Sequence, residues 1–308
     1  MLFQQTFYIN PALRPSMANI GISRFKDFTK YSEGILVSRP SKRQVRTVYL
    51  DVAGHRKKYY LKQAGPQPVR EILKAWRRYQ RPCSEVAREL LIIQLFRDHG
   101  IPVMNPVAWG ERKGFGWSMG GFMLVEEVVG REFVEVYRLA LPHIRRRLMW
   151  VYGELLGTLH QTGIDSKVHP RDLICISEDY GSFRTCLVVI DRERGQTHLV
   201  DLSVQDRGKR LAEIWVKGSF TLGRASLREL FVFLSSYCAA CDMKRARRVW
   251  CRDLVHRIMA RAAKILDQDR RFSALRLDFK EKYGVCQKGR VIDGKGKEKI
   301  TSLEENLR

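Results

Sequence analysis

Short strand-like runs fill the first part of the chain and long amphipathic helical patterns fill the rest. That order restricts the fold to an α+β arrangement of two lobes, divided near residue 125. Val45, Val48 and Leu50 stand among Arg46, Thr47 and Tyr49, and Tyr59-Tyr60-Leu61-Lys62 follows the turn Ala53-Gly54-His55, which predicts two strands joined at a glycine. Another short apolar strand is expected over 120–125. Between these, residues 84–99 read as a helix capped by Ser84, with Ala87, Leu90, Leu91 and Leu95 on one face and Gly100 just past its end. The strongest helical pattern covers 145–162, where Leu148, Val151, Leu155, Leu156 and Leu159 recur at helical spacing. Further helices are expected over 212–216, 226–237 and 244–266. The expected organisation is an N-terminal extension (1–30), a strand-rich N-lobe (31–125), a helical C-lobe (126–280) and a basic, flexible tail (281–308).

Composition narrows the function classes. Of 308 residues 44% are hydrophobic, enough for a proper core, so wholesale disorder is excluded. The longest uncharged apolar stretch, 230–241, is far short of the roughly 18–20 residues a bilayer span needs. Residues 1–10 lack a basic start, and Pro11, Arg14 and Pro15 interrupt any apolar signal region, so a cytoplasmic protein is expected. Seven scattered cysteines do not form a disulfide framework. Cys238-x-x-Cys241, with Cys251 and His256, lies in a helical pattern with no second such pair, and reads as buried thiols rather than a zinc site. Lys+Arg number 56 against 33 Asp+Glu, a net charge of +23 that concentrates polyanions: nucleic acid, anionic lipid headgroups or phosphorylated glycans. The arginines from Lys244 onward and the basic run 70–81 read as anion-facing surfaces.

Four positions carry the chemistry. Lys62 ends a strand and Glu89 lies in the following helix; Arg171-Asp172-Leu173 sits in a loop after the long helix, and Asp191 ends the apolar run 186–190. Phosphoryl transfer from ATP needs these groups: a lysine on the nonreacting phosphates, a helix glutamate that pins it, an aspartate that orients the acceptor hydroxyl, and another that holds Mg²⁺. Glu85 competes with Glu89, and Asp201 in Leu-Val-Asp-Leu competes with Asp191. Glu126 and Glu127 mark a hinge at which adenine would meet backbone, their side chains solvated.

The ordered series Tyr60-Leu-Lys62, Ala87-Arg-Glu89, the stretch from Gly100-Ile-Pro to Ala108-Trp-Gly110, Leu156-Gly-Thr-Leu-His160, Arg171-Asp-Leu173 and Val189-Ile-Asp-Arg-Glu-Arg194 resembles the lipopolysaccharide core kinases of the Kdo/WaaP type. The likeness covers roughly residues 34–240. It implies a bilobal protein-kinase-like fold and an ATP- and Mg²⁺-dependent kinase acting on a heptose or Kdo hydroxyl of the lipopolysaccharide inner core. The same resemblance assigns Lys62 and Glu89 to nucleotide binding, Asp172 and Arg171 to catalysis, and Asp191 with Ser177 to the metal. It also implies lipid A–core glycolipid and the anionic inner face of the cytoplasmic membrane as partners, in preference to nucleic acid. Three features depart from the family pattern. Pro170 stands where His precedes Arg-Asp, Ser177 stands where Asn or His is usual, and there is no G-x-G-x-x-G loop before Val45. Two rivals stay in view: a kinase for a protein or small-molecule acceptor, because acceptor choice lies in the C-lobe where the resemblance is loosest, and a basic pseudokinase or nucleic-acid scaffold, which the displaced histidine and Ser177 favour.

Overall fold

The computed structural model describes residues 3–38, 43–70, 72–73, 83–115, 117–191, 198–222, 225–241, 254–255, 257–262, 285–287 and 290–292. The chain divides into two compact units: Met1–Val129 with Val188–Thr197, and Gly130–Leu187 with His198–Arg308.

The first unit is built on a six-stranded antiparallel sheet in the order β1-β5-β6-β4-β3-β2. Its strands are β1 (Phe3–Ile9), β2 (Leu36–Ser38), β3 (Arg43–Val52), β4 (His55–Ala64), β5 (Pro106–Gly114) and β6 (Trp117–Glu126). β3 and β4 meet at a two-residue turn whose residues, Ala53 (φ 50°) and Gly54 (φ 78°), both take the left-handed conformation that matches the twist of a hairpin. Register then sorts side chains by parity. Val45 lies opposite Lys62 and Lys62 opposite Met123, while Leu61 lies opposite Arg46 and Leu124. One face therefore carries Val48, Leu50, Tyr59, Leu61, Phe122 and Leu124, and the other Lys62, Met123 and Val125.

Residues 1–30 are no loose extension. β1 pairs with β5 along its whole length, from Phe3 opposite Gly114 to Ile9 opposite Ala108. Ile9, Leu13, Met17, Ile22, Phe25 and Phe28 then complete the core on the Leu61 face, where Phe28 stacks on Phe122 at 4.0 Å between ring centres. The helical segments there, Arg14–Asn19 and Phe25–Lys30, are only 6 residues each, too short for the periodicity that would announce them. A second departure concerns the described residues 188–191. The expected division assigned them to the helical lobe, yet they cluster with the sheet.

The helix expected over 84–99 spans Glu85–Asp98, and Ser84 accepts a hydrogen bond from the Ala87 N–H as its cap. Its expected apolar face is rotated. Val86, Glu89, Ile92, Ile93 and Phe96 are buried, whereas Leu91 is 44% exposed. Three leucines and an alanine suggested one stripe; the true stripe includes a glutamate, which apolar counting omits.

In the second unit a helix over Pro142–Gln161 packs on another over Leu227–Ala240, the latter opened by a reciprocal cap between Ser226 and Glu229. Gly153 and Gly157 set their close approach. A Cβ at either would lie 2.2 Å from the Phe233 carbonyl oxygen or 2.5 Å from that of Tyr237. His160 is buried beside them, its Nδ1 2.8 Å from the Tyr237 hydroxyl. The Val204–Leu222 helix is much longer than the expected 212–216. Cys238 and Cys241 are buried and unbridged. Much of the expected helix 244–266, including Arg245, Arg247, Arg248 and Arg252, lies outside the described residues, as does most of 281–308. Within the latter, Val285–Gln287 pairs with Arg290–Ile292. No helix among the described residues is long and apolar enough to cross a membrane.

Two predictions follow from these cores. Phe28→Ala should cost about 3–5 kcal/mol in chemical denaturation; a dispensable N-terminal extension would leave the midpoint unchanged. His160 is held neutral, its pKa lowered to about 4 chiefly by burial, with Arg207 adding to the effect. The unfolded chain binds that proton near the ordinary value of about 6.5, so this stability is present above that pH and is lost as pH falls toward 4. The wild-type melting temperature should drop over that interval, and a His160→Gln variant should show less of the slope.

Candidate active site

On the sheet face opposite the N-terminal segment, four charged side chains meet. Lys62, 5% exposed on β4, donates to Glu89 Oε1 at 2.5 Å. It also reaches Asp191 Oδ1 at 3.4 Å. Arg43, 3% exposed at the start of β3, lies 3.4 Å from Glu89 Oε2 and 3.1 Å from Asp191 Oδ1. Among the described residues two cations face two carboxylates, a charge-balanced set. Each member is placed by backbone. Strand pairing sets Arg43 opposite Ala64 and Val45 opposite Lys62, putting both cations on one face. The capped helix turns Glu89 toward them, fully buried, while Glu85 one turn earlier is exposed.

Asp191 is tethered through the run before it. Val189 N–H donates to the Pro102 carbonyl at 2.9 Å and Met104 N–H to the Val189 carbonyl at 3.0 Å, which ties this run to the loop after the Glu85–Asp98 helix. Asp191 itself has φ 55°, a conformation few non-glycine residues adopt. Burial acts to raise its pKa, but the charges and hydrogen bonds of Lys62 and Arg43 outweigh that and hold the carboxyl below its ordinary value. About half of its side chain, 52%, remains exposed. One carboxylate of the cluster is thus open to solvent while the other is sealed.

Such a cluster is poor at merely stabilising a fold. Apolar side chains of similar volume would often hold the same space as well or better, because desolvating ions costs several kcal/mol each. A lysine positioned by a sealed glutamate, next to an accessible aspartate, can instead grip an anion and a cation side by side.

Arg171, Asp172 and Ser177 belong to the second unit. Pro170–Asp172 forms a single 3₁₀ turn in which Asp172 Oδ2 accepts from the His169 N–H at 3.0 Å. Arg171 Nε lies 3.6 Å from Asp172 Oδ1, with its side chain 73% exposed. The Ser177 hydroxyl accepts from the Asp179 N–H at 3.0 Å, closing a local turn. Asp201 is exposed in this unit, and Arg194 lies outside the described residues. Glu127 departs from its expected solvated role, accepting from Lys58 Nζ at 2.7 Å and the Tyr60 hydroxyl at 3.3 Å.

Two features escaped sequence reasoning. The first is the pairing of Arg43, in sequence one of the basic residues ahead of Val45, with Glu89 and Asp191; strand parity would have found it once the β3–β4 register was known. The second is Asp165, which accepts two hydrogen bonds from Arg210, at 2.7 and 2.6 Å, and fixes the segment leading to the Asp172 turn. Tyr152 adds a bond to the Val168 carbonyl at 2.8 Å.

The strand-rich first unit with its buried lysine–glutamate pair, together with the helical second unit, defines a protein-kinase-like fold. A structure titled "WaaP in complex with acyl carrier protein" matches it with a TM-score of 0.58 and 20% identity, over 84% of this chain and 99% of that one. The crystal structure of Rad53 1-466 in complex with AMP-PNP matches at a TM-score of 0.37 and 13% identity, over 70% of this chain and 58% of that one, too low to bear on function. No curated protein matches the chain. The model of the lipopolysaccharide kinase (Kdo/WaaP) family matches residues 28–214, more than half of the sequence. The chain belongs to that family.

The buried cluster makes its own prediction. Glu89→Gln leaves Lys62 and Arg43 sharing one carboxylate and should cost about 3–5 kcal/mol in urea denaturation. Replacing both partners, Lys62→Met with Glu89→Leu, leaves the balanced Arg43–Asp191 pair and should recover most of that loss. Equal damage from the single and double variants would show that the cluster does not act as an ion network.

Proposed function

We propose that the chain is an ATP-dependent kinase that phosphorylates a sugar hydroxyl, on heptose or Kdo, in the lipopolysaccharide inner core. The observation that carries this reading is the 2.5 Å contact between buried Lys62 and Glu89, with the half-exposed Asp191 carboxylate 3.4 Å from the same ammonium. Lys62 holds the nonreacting phosphates, oriented by Glu89, which has no other route to solvent. Asp191 fits a magnesium ion, which is commonly held through one or two carboxylates together with substrate phosphates. When bound, that ion would neutralise charge on the phosphate oxygens. Ser177 is the other residue we assign to it, its oxygen keeping a lone pair beyond the one used on the Asp179 N–H. No group of three His, Cys, Asp or Glu side chains among the described residues forms a metal cage, consistent with an ion completed by substrate.

Asp172 receives the acceptor hydroxyl, and the exposed Arg171 beside it faces the charge of the incoming group. The net charge of +23 suits a polyanionic glycolipid at an anionic leaflet, where each nearby Lys or Arg contributes about 1 kcal/mol. A protein partner of the kind present with WaaP, an acyl carrier protein, belongs to the same proposal. A basic pseudokinase remains the rival reading, supported by Pro170 and Ser177.

A thermal-shift titration with ATP, with and without magnesium, is the first test; stabilisation that requires both supports the kinase, and none removes it. Asp172→Ala should lower turnover by about 10²–10⁴-fold while leaving ATP binding nearly intact. Asp191→Asn should instead raise the magnesium requirement, with Asp201→Asn as the silent control. If Asp201→Asn proves the damaging change, the metal assignment is wrong.

A further inference from the structure

Strand parity places Gln44, Arg46 and Gln63 on the sheet face turned to the N-terminal segment, away from Lys62 and Arg43. There the end of the Phe25–Lys30 helix, the following Tyr31 and Ser32, and the strand ends at Gly65 and Gly120 enclose a cavity of about 620 Å³. Among the described residues its lining includes Lys30, Arg43, Arg46 and Arg112 and no aspartate or glutamate. Arg43 belongs by parity to the other face, where it pairs with Glu89 and Asp191; the other cations of the lining are Lys30, Arg46 and Arg112. Glu33, next to Ser32 in sequence, does not line the cavity.

Arg46 is the informative residue. Among the described residues its guanidinium makes two long contacts, both to neutral oxygens, Gly34 carbonyl at 3.5 Å and Gln44 Oε1 at 3.4 Å. Its Nε is buried with no hydrogen-bond partner, and no carboxylate pairs with it among the described residues. A guanidinium with idle donors beside a cavity is a ready fork for phosphate oxygens. The neutral groups add a second character. Gln63 spends its amide N–H groups on the Phe28 and Tyr31 carbonyls at 2.6 and 3.0 Å, so its oxygen stays available as an acceptor. Gln44 keeps its amide donors, and the Thr29 hydroxyl, which donates to backbone, keeps its lone pairs. The volume lies within the range of small-molecule pockets and far exceeds a bare phosphate.

We propose that this cleft binds a phosphorylated saccharide, free or as the headgroup of a lipid, at a site separate from that of the nucleotide. Arg46 and Arg112 hold the phosphate, and Gln44, Gln63 and Thr29 meet the sugar hydroxyls. Residues 25–32 thereby acquire a purpose beyond covering the sheet, since a third of the lining residues are theirs.

The test uses the full chain carrying Lys62→Met with Glu89→Leu, which removes the phosphate-holding lysine of the nucleotide site without leaving its buried glutamate unpaired. Glucose 1-phosphate, glucose and inorganic phosphate are the soluble probes in calorimetry; phosphatidylcholine vesicles with and without a phosphorylated glycolipid are the membrane probe. The sugar phosphate or the glycolipid vesicles should bind, and unphosphorylated glucose should not. Arg46→Gln and Arg112→Gln should each weaken that binding by about tenfold or more. Arg112 is exposed, so its variant keeps the test sharp should Arg46→Gln fail to fold. Both variants, on the wild-type background, should retain the ATP-induced thermal shift. Arginine-dependent binding of the soluble probe alone identifies a free ligand, and of the vesicles alone a headgroup; either upholds the site. Binding indifferent to both arginines, in both arms, overturns it. So does loss of sugar-phosphate binding in the folded Lys62→Met/Glu89→Leu protein with both arginines intact, which would place the ligand in the nucleotide site.

Discussion

The buried contact between Lys62 and Glu89 is the constraint to which the first unit answers. A lysine and a glutamate removed from water must find each other within hydrogen-bond reach or the fold loses several kcal/mol. Meeting that demand requires the β3–β4 register, the cap at Ser84 that aims the helix, and the tether of residue 189 to the loop after it. Arg43 and Asp191 join as a second balanced pair, and Asp191 alone keeps contact with solvent. An ion cluster of this kind contributes little net stability. Its value lies in being positioned before any ligand arrives, so that no reorganisation is needed when charge is introduced.

The opposite face of the same sheet supplies the stability that the charged face lacks. Phe25, Phe28 and Phe122 form an aromatic layer there, with Leu61 fully buried beside Lys62 in sequence but across the sheet from it in space. Consecutive residues on β4 thus serve opposite ends: Leu61 anchors the core, Lys62 faces the charge cluster, and Gln63 bonds back to the N-terminal segment. The second unit separates the two tasks differently. Its glycine-mediated helix contact is structural, while the Asp165–Arg210 and Tyr152–Val168 bonds hold the segment that leads to the Asp172 turn.

Much of this was legible in the sequence because the signals were local. The β3–β4 hairpin follows from alternation around Ala53-Gly54, and the Ser84 cap from side-chain chemistry at one residue. What stayed hidden depended on pairing across distance. Nothing near Arg43 reveals that it lies opposite Ala64, and nothing in residues 1–30 shows β1 completing the sheet edge. The rotated face of the Glu85–Asp98 helix has a similar cause: counting apolar residues misphases a helix whose buried stripe contains a glutamate. The candidate positions Lys62, Glu89, Asp172 and Asp191 were reached through their order along the chain. The structure brings Lys62, Glu89 and Asp191 together, and keeps Arg171, Asp172 and Ser177 in the other unit.

The central claim is phosphate transfer to a core sugar, and its most direct measurement follows label from the γ-phosphate of ATP into dephosphorylated lipopolysaccharide core, with and without magnesium. The account predicts magnesium-dependent label on a heptose or Kdo residue, absent with the Asp172→Ala protein. ATP binding with no label on any core sugar would contradict it, as would label confined to protein.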